Sequence, residues 1–127
     1  MNVPENLKYT ASHEWIEYLD NGRARVGITD FAQHSMGDIV YVRLPQPGEA
    51  LVAGAAMADL ESVKAVSEVF SPLTGTVAQV HSALEDAPEA INQDAYAAWM
   101  AEIEGITATA ELLDAAGYRA VLAAEGE

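Results

Sequence analysis

The chain has 127 residues, half of them hydrophobic, enough for one compact core and too few for two ordinary domains, so a single domain over 1–127 is expected. Twenty acidic residues against six basic ones give a formal charge of -14, which argues against a nucleic-acid or anionic-membrane partner and suits basic protein surfaces. The absence of cysteine excludes disulfides and any protein thiolate acting as nucleophile or metal ligand.

The opening MNVPENLKYTASHE has neither a basic start nor an apolar run, and no later stretch has the apolar length of a membrane span; a soluble, cytoplasmic protein is expected. Next, HEWIEYLDNGRARVGI places Trp15, Ile16 and Tyr18 before Asp20-Asn21-Gly22, with Val26 and Ile28 after it. Asn-Gly in that setting predicts a hairpin, because both residues tolerate the positive φ of a tight turn. Thr29-Asp30, then FAQHSM, then Gly37 predict a short helix with a side-chain oxygen at its start and glycine at its end. DIVYVRL, residues 38 to 44, predicts a strand ended by Pro45-Gln46-Pro47-Gly48. From Ala50 to Val80, LVAG, MADLESV, AVSEVF and TVAQV predict short strands punctuated by Gly54, Ser71-Pro72 and Gly75. The segment from Glu61 to Val66 lacks Gly and Pro, so a turn there is permitted but not forced. Residues 81 to 98 read as a polar connection with Pro88 and Asn92, and WMAEIEG from Trp99 as a last strand. Thr109 is the expected cap of a tail helix carrying Glu111, Leu112, Leu113 and Ala116, with Gly117 interrupting before a second stripe of Tyr118, Val121 and Leu122.

His13, His34 and His81 lie far apart, without the spacing that puts two metal ligands on one helical face. Carboxylate pairs arise by chance in so acidic a chain, and no GxSxG, Walker loop or GxGxxG occurs. Lys64 remains. An isolated lysine is ordinarily a solvated side chain, but its surroundings, ESVKAVSEVFSPLTG from 61 to 75, carry more information.

That segment resembles the lipoylation segment of the H protein of the glycine cleavage system. NVPENLKYTASHEW, VGITDFAQHSMGDIVYVRLPQPG, ALEDAPEAINQDAY and ELLDAAGYRAVL are similar to the family's other blocks, in order, from about Val3 to Leu122. The resemblance implies a mainly β fold, a flattened barrel-sandwich hybrid of the lipoyl/biotinyl-carrier type with short helices, its core at about 3–104 and a helical tail at about 109–124. It implies lipoate in amide linkage to Lys64, exposed at a hairpin tip. Glu61, three residues before, and Gly75, eleven after, occupy the places that help lipoate-attaching enzymes recognise such a domain. Changing either is expected to slow lipoylation and leave thermal unfolding nearly unchanged. Ser12, Glu14 and Glu68 match residues lining the cleft that receives the loaded arm; at Glu68 the family commonly has aspartate. Departures fall at Phe31, where histidine is common, at Ala98, which replaces a glycine, and at Glu102, which replaces a positive charge. The last two bear on partner contacts near Trp99, while Lys64 and its flanks are intact.

The implied role is that of a carrier and not of an enzyme. The arm takes an aminomethyl group from glycine decarboxylase, a pyridoxal-phosphate enzyme, passes the one-carbon unit on at an aminomethyltransferase, and is reoxidised by dihydrolipoamide dehydrogenase. A biotin carrier normally flanks its lysine with methionines, unlike Val63 and Ala65, and a 2-oxo acid dehydrogenase lipoyl domain usually reads DKA with flexible linkers. A lipoyl donor passing lipoate to other lipoyl domains would share every feature around Lys64, so it stands as the alternative.

Overall fold

The structure is a computed structural model and describes residues 1–126. The elements in chain order are β1 (Lys8–Tyr9), β2 (Glu14–Tyr18), β3 (Ala24–Ile28), α1 (Asp30–Met36), β4 (Ile39–Arg43), β5 (Ala50–Leu51), β6 (Ala56–Ser62), β7 (Val66–Phe70), β8 (Leu73–Val80), α2 (Ala83–Asp86), α3 (Ala90–Gln93), β9 (Ala101–Thr109) and α4 (Ala115–Ala124). Two antiparallel sheets result, one of order β1-β2-β3-β9-β8-β5 and one of order β4-β6-β7, and they do not close into a barrel. The fold is therefore mainly β with short helices, one of them C-terminal.

The apolar alternation explains the layering. Ile16, Val26, Val77 and Ile103 from the larger sheet meet Val42, Leu60 and Val69 from the smaller in one buried cluster. Consecutive strand residues point to opposite faces, and Trp15, the neighbour of Ile16, is buried on the other side with Leu7, Tyr9, Tyr118 and Leu122. That second cluster is why the tail helix packs where it does: α4 covers the face of β1 and β2 that the smaller sheet leaves open.

Most predicted elements occur, with five differences. The 18–24 turn is longer than a two-residue hairpin: Gly22 has φ 80, but Asn21 is not in the left-handed region and instead accepts the Arg23 amide through its side chain (3.0 Å). The helix from Thr29 is as expected, its hydroxyl accepting the Ala32 amide and Gly37 ending it at φ 82. Thr109 caps nothing. It ends β9, and Asp114 caps α4 by accepting the Gly117 amide (2.8 Å), so Gly117 lies inside the helix and does not break it. The 81–98 connection holds two short helices, α2 and α3, and Gly75 is a strand residue of β8, not a turn.

Candidate functional site: the Lys64 hairpin and its cleft

With no Gly or Pro to turn the chain between β6 and β7, a serine does it. The Ser62 hydroxyl accepts the amides of Lys64 (3.3 Å) and Ala65 (3.0 Å), while the Ser62 amide donates to the Ala65 carbonyl (2.8 Å). Such local side-chain bonds let serine replace a backbone turn. The Val63 amide donates to the Asp38 carbonyl (3.1 Å), fixing the tip to the chain entering β4. Lys64 is exposed at that tip, and Val63 and Val66 beside it are 71% and 75% exposed. Its stem crosses Gly37: a Cβ there would lie 3.5 Å from Lys64 Cε. No carboxylate pairs with the Lys64 amine among the described residues. Glu61 is exposed on β6, between Tyr41 and Val66 in register. Gly75 belongs to the other sheet, opposite Leu51, so it does not share the hairpin with Lys64.

Alongside the hairpin strands runs a cavity of ≈ 420 Å³. Ser12, His13 and Glu14 supply one wall, Phe31, Ala32, Ser35 and Met36 of α1 a second, Leu60, Ser67 and Glu68 a third, with Glu125 at the end of α4. Ser12 and Glu14, two residues apart, are thus brought together with Glu68, which is far from both in sequence. Phe31 is on this wall too, its ring 4.8 Å from that of His13. His13, Ser35, Ser67 and Glu125 were not singled out by sequence. His13 adjoins two residues that were, whereas Glu125 is one acid of twenty and carries no local signal.

Glu14 is only 3% exposed. Its Oε1 accepts the hydroxyls of Thr10 and Ser12, both at 2.6 Å, and its Oε2 the Phe70 amide at 3.4 Å, tying β2 to β7. Burial pushes its pKa up, and the bonds from Ser12, Thr10 and Phe70 with the nearby His13 offset part of that rise. A held carboxylate at a sheltered wall is suited to an ammonium group.

At the other end of the larger sheet, Ala98 is buried outside the left-handed region, so the position imposes no need for glycine. Glu102 is also buried, accepting from Arg23 Nη1 (3.0 Å) and Arg25 Nε (3.2 Å). Arg25 lies 4.6 Å over Trp99, whose other neighbour is the stacked ring of His81 at 4.8 Å. The charge reversal at 102 is therefore neutralised internally.

A family model described as Glycine cleavage H-protein matches residues 7–125. The chain belongs to this family. Glycine cleavage system H proteins of Lachnoclostridium phytofermentans and Aromatoleum aromaticum are 47% and 48% identical to it, the first over all of both chains and the second over 96% of this chain and 97% of its own. The crystal structure of a glycine cleavage system H protein from Mycobacterium marinum superposes with a TM-score of 0.90 at 38% identity, covering 95% of this chain and 99% of that one. H proteins are the lipoyl-bearing carrier component of the glycine cleavage system and not one of its catalysts. The fold and the family thus agree with the resemblance read from the segments around Lys64.

Proposed function

We propose that Lys64 is the lipoyl-lysine of this H protein and that 1–127 acts as one carrier domain. When bound, lipoate supplies a disulfide able to take up an aminomethyl group and two electrons. The observation that carries the reading is the exposed Lys64, without a carboxylate partner among the described residues, on a hairpin whose own strands wall a cavity lined also by Ser12 and Glu14. Lys64 anchors and presents the group; Glu14, with its two hydroxyl donors, offers a sheltered negative end for an ammonium; Leu60, Met36 and Phe31 keep water from it. The carried unit passes from glycine decarboxylase to aminomethyltransferase, and dihydrolipoamide dehydrogenase receives the electrons. Bacterial relatives support a cytoplasmic setting. Glu61 beside the tip serves recognition by lipoate-attaching enzymes.

Arginine stays protonated and is a poor acyl acceptor, and Lys8 is the only other lysine. The Lys64→Arg protein should therefore fold normally and gain no lipoyl mass from a lipoate-attaching enzyme. Lipoyl mass persisting on that variant refutes the assignment. Charge-assisted contacts in sheltered sites contribute roughly 1.5–3 kcal/mol, so Glu14→Gln with Glu68→Gln should shorten the lifetime of the aminomethylated protein about tenfold or more. Equal lifetimes in fully lipoylated samples would place the protection elsewhere.

A further inference from the structure

His13 alone among the described non-glycine residues has a left-handed backbone, with φ 75. Ordinary side chains hold that conformation only where their surroundings impose it. Its amide donates to the Thr10 carbonyl (3.2 Å) and its carbonyl accepts the Thr29 amide (3.0 Å). The ring is thereby aimed at the tail helix: Nδ1 lies 2.8 Å from Tyr118 Oη, and Nε2 3.0 Å from Glu125 Oε1. Tyr118 Oη is in turn 2.6 Å from the buried Thr29 Oγ1, which accepts the Ala32 amide as the cap of α1.

The chemistry orders these contacts. An ionised carboxylate only accepts, so Nε2 carries a proton toward Glu125. In a neutral imidazole Nδ1 is then an acceptor, filled by the Tyr118 hydroxyl; the Tyr118 oxygen accepts from Thr29, and the Thr29 oxygen from Ala32. Each of these four contacts then runs in one direction, from the first turn of α1 to the C-cap of α4. Phe31, having no polar atom, joins no bond and covers the face of the ring.

We propose that His13, through the two nitrogens of its ring, is the positioning residue of the cavity. It ties the ends of α1 and α4 to the β1–β2 turn, so that Phe31, Glu14 and Glu125 keep one arrangement around whatever the cavity receives. What it receives rests on the reading of Lys64 given above; the hydrogen-bonded chain belongs to the unmodified protein and is testable without lipoate.

His13→Asn separates this role from that of a turn residue, because asparagine tolerates the left-handed backbone yet is too short to reach Tyr118 and Glu125 together. Glu125→Ala cuts the same link from the helix side and leaves the turn untouched, so the test survives a folding failure at position 13. In the unmodified full chain at about pH 8, above the ordinary histidine range, long-range proton–nitrogen NMR should show a protonated Nε2 and an unprotonated Nδ1 on His13. Backbone amides of the last turns of α4 should exchange with deuterium at least tenfold faster in both variants. In samples shown by mass to be lipoylated and aminomethylated, both variants should release the carried group several times faster than wild type. The Nδ1–H tautomer, or wild-type exchange in both variants, overturns the proposal. Failure of Lys64 to accept lipoate overturns the carrier reading and leaves the NMR and exchange results to decide this one.

Discussion

Glu14 and Glu102 are each 3% exposed, yet their environments pull their protons in opposite directions. For Glu14 burial dominates its hydrogen bonds, and the folded pKa stands above the ordinary 4.5. A raised value means that stability from this group is fully present below 4.5 and lost as pH rises through the folded value. Glu14→Gln should remove that loss, so the variant gains on wild type from the ordinary carboxylate range upward. For Glu102 burial also pushes up, but hydrogen bonds from Arg23, Gln79 and Arg25 outweigh it and hold the carboxyl below 4.5. Its stability is present above the unfolded value and disappears as pH falls through the folded one. Glu102→Gln should therefore cost roughly 1–3 kcal/mol near neutrality and converge on wild type in acid. Urea midpoints of the three proteins across pH check both signs, and parallel curves would contradict them. The pairing was beyond the reach of sequence: Arg25 and Glu102 face each other only because β3 and β9 are neighbours in the sheet.

Among the elements, β8 changes an expectation outright. A Cβ on Gly75 would lie 2.7 Å from the Glu104 carbonyl oxygen and 2.8 Å from Ile103 Cγ2, where the β8–β9 register shifts between Thr74 and Thr76. A backbone oxygen on the partner strand cannot swing aside as a flexible side chain would. Gly75→Val should destabilise by roughly 1–3 kcal/mol, the usual range for overpacking, and lower the thermal midpoint whether or not lipoylation is slowed. A midpoint equal to wild type would show that the strand yields there. Where local chemistry dictates form, sequence was sufficient: the Thr29 cap, the Gly37 stop and the β-branched and aromatic run of β4 each have a physical cause within a few residues. Thr109 misled because capping residues are also common strand ends, and β9 continues through Gly105 at φ 61 while paired with β8. The approach of Ser12, Glu14 and Glu68 was legible only by family resemblance, since β2 and β7 belong to different sheets.

Across the whole molecule the two chain ends are drawn into one cluster, and a tyrosine lies at its centre. Tyr9 is fully buried, stacked on Tyr118 at 4.6 Å with 9° between the rings, and its hydroxyl donates to the Pro4 carbonyl at 2.6 Å. The N-terminal segment and α4 are joined again where Arg119 donates to the Val3 carbonyl (3.1 Å) and the Glu5 carboxylate (2.6 Å). Burial, reinforced by the neighbouring Tyr96 and Tyr118, pushes the Tyr9 phenol far above its ordinary 10.0. A phenolate there would face an apolar cluster with its hydrogen bond to Pro4 lost, so the buried state excludes it. The linkage sign follows: stability from Tyr9 is fully present below 10.0 and lost as pH rises toward the folded value. On alkaline titration its ionisation should coincide with unfolding, the last rise in phenolate absorbance tracking the loss of sheet signal in circular dichroism. Tyr9→Phe keeps the ring and removes the proton; it should cost roughly 0.5–1.5 kcal/mol at neutral pH through the lost hydrogen bond, yet unfold at higher pH than wild type. An alkaline limit that does not move in Tyr9→Phe would assign the transition to another group.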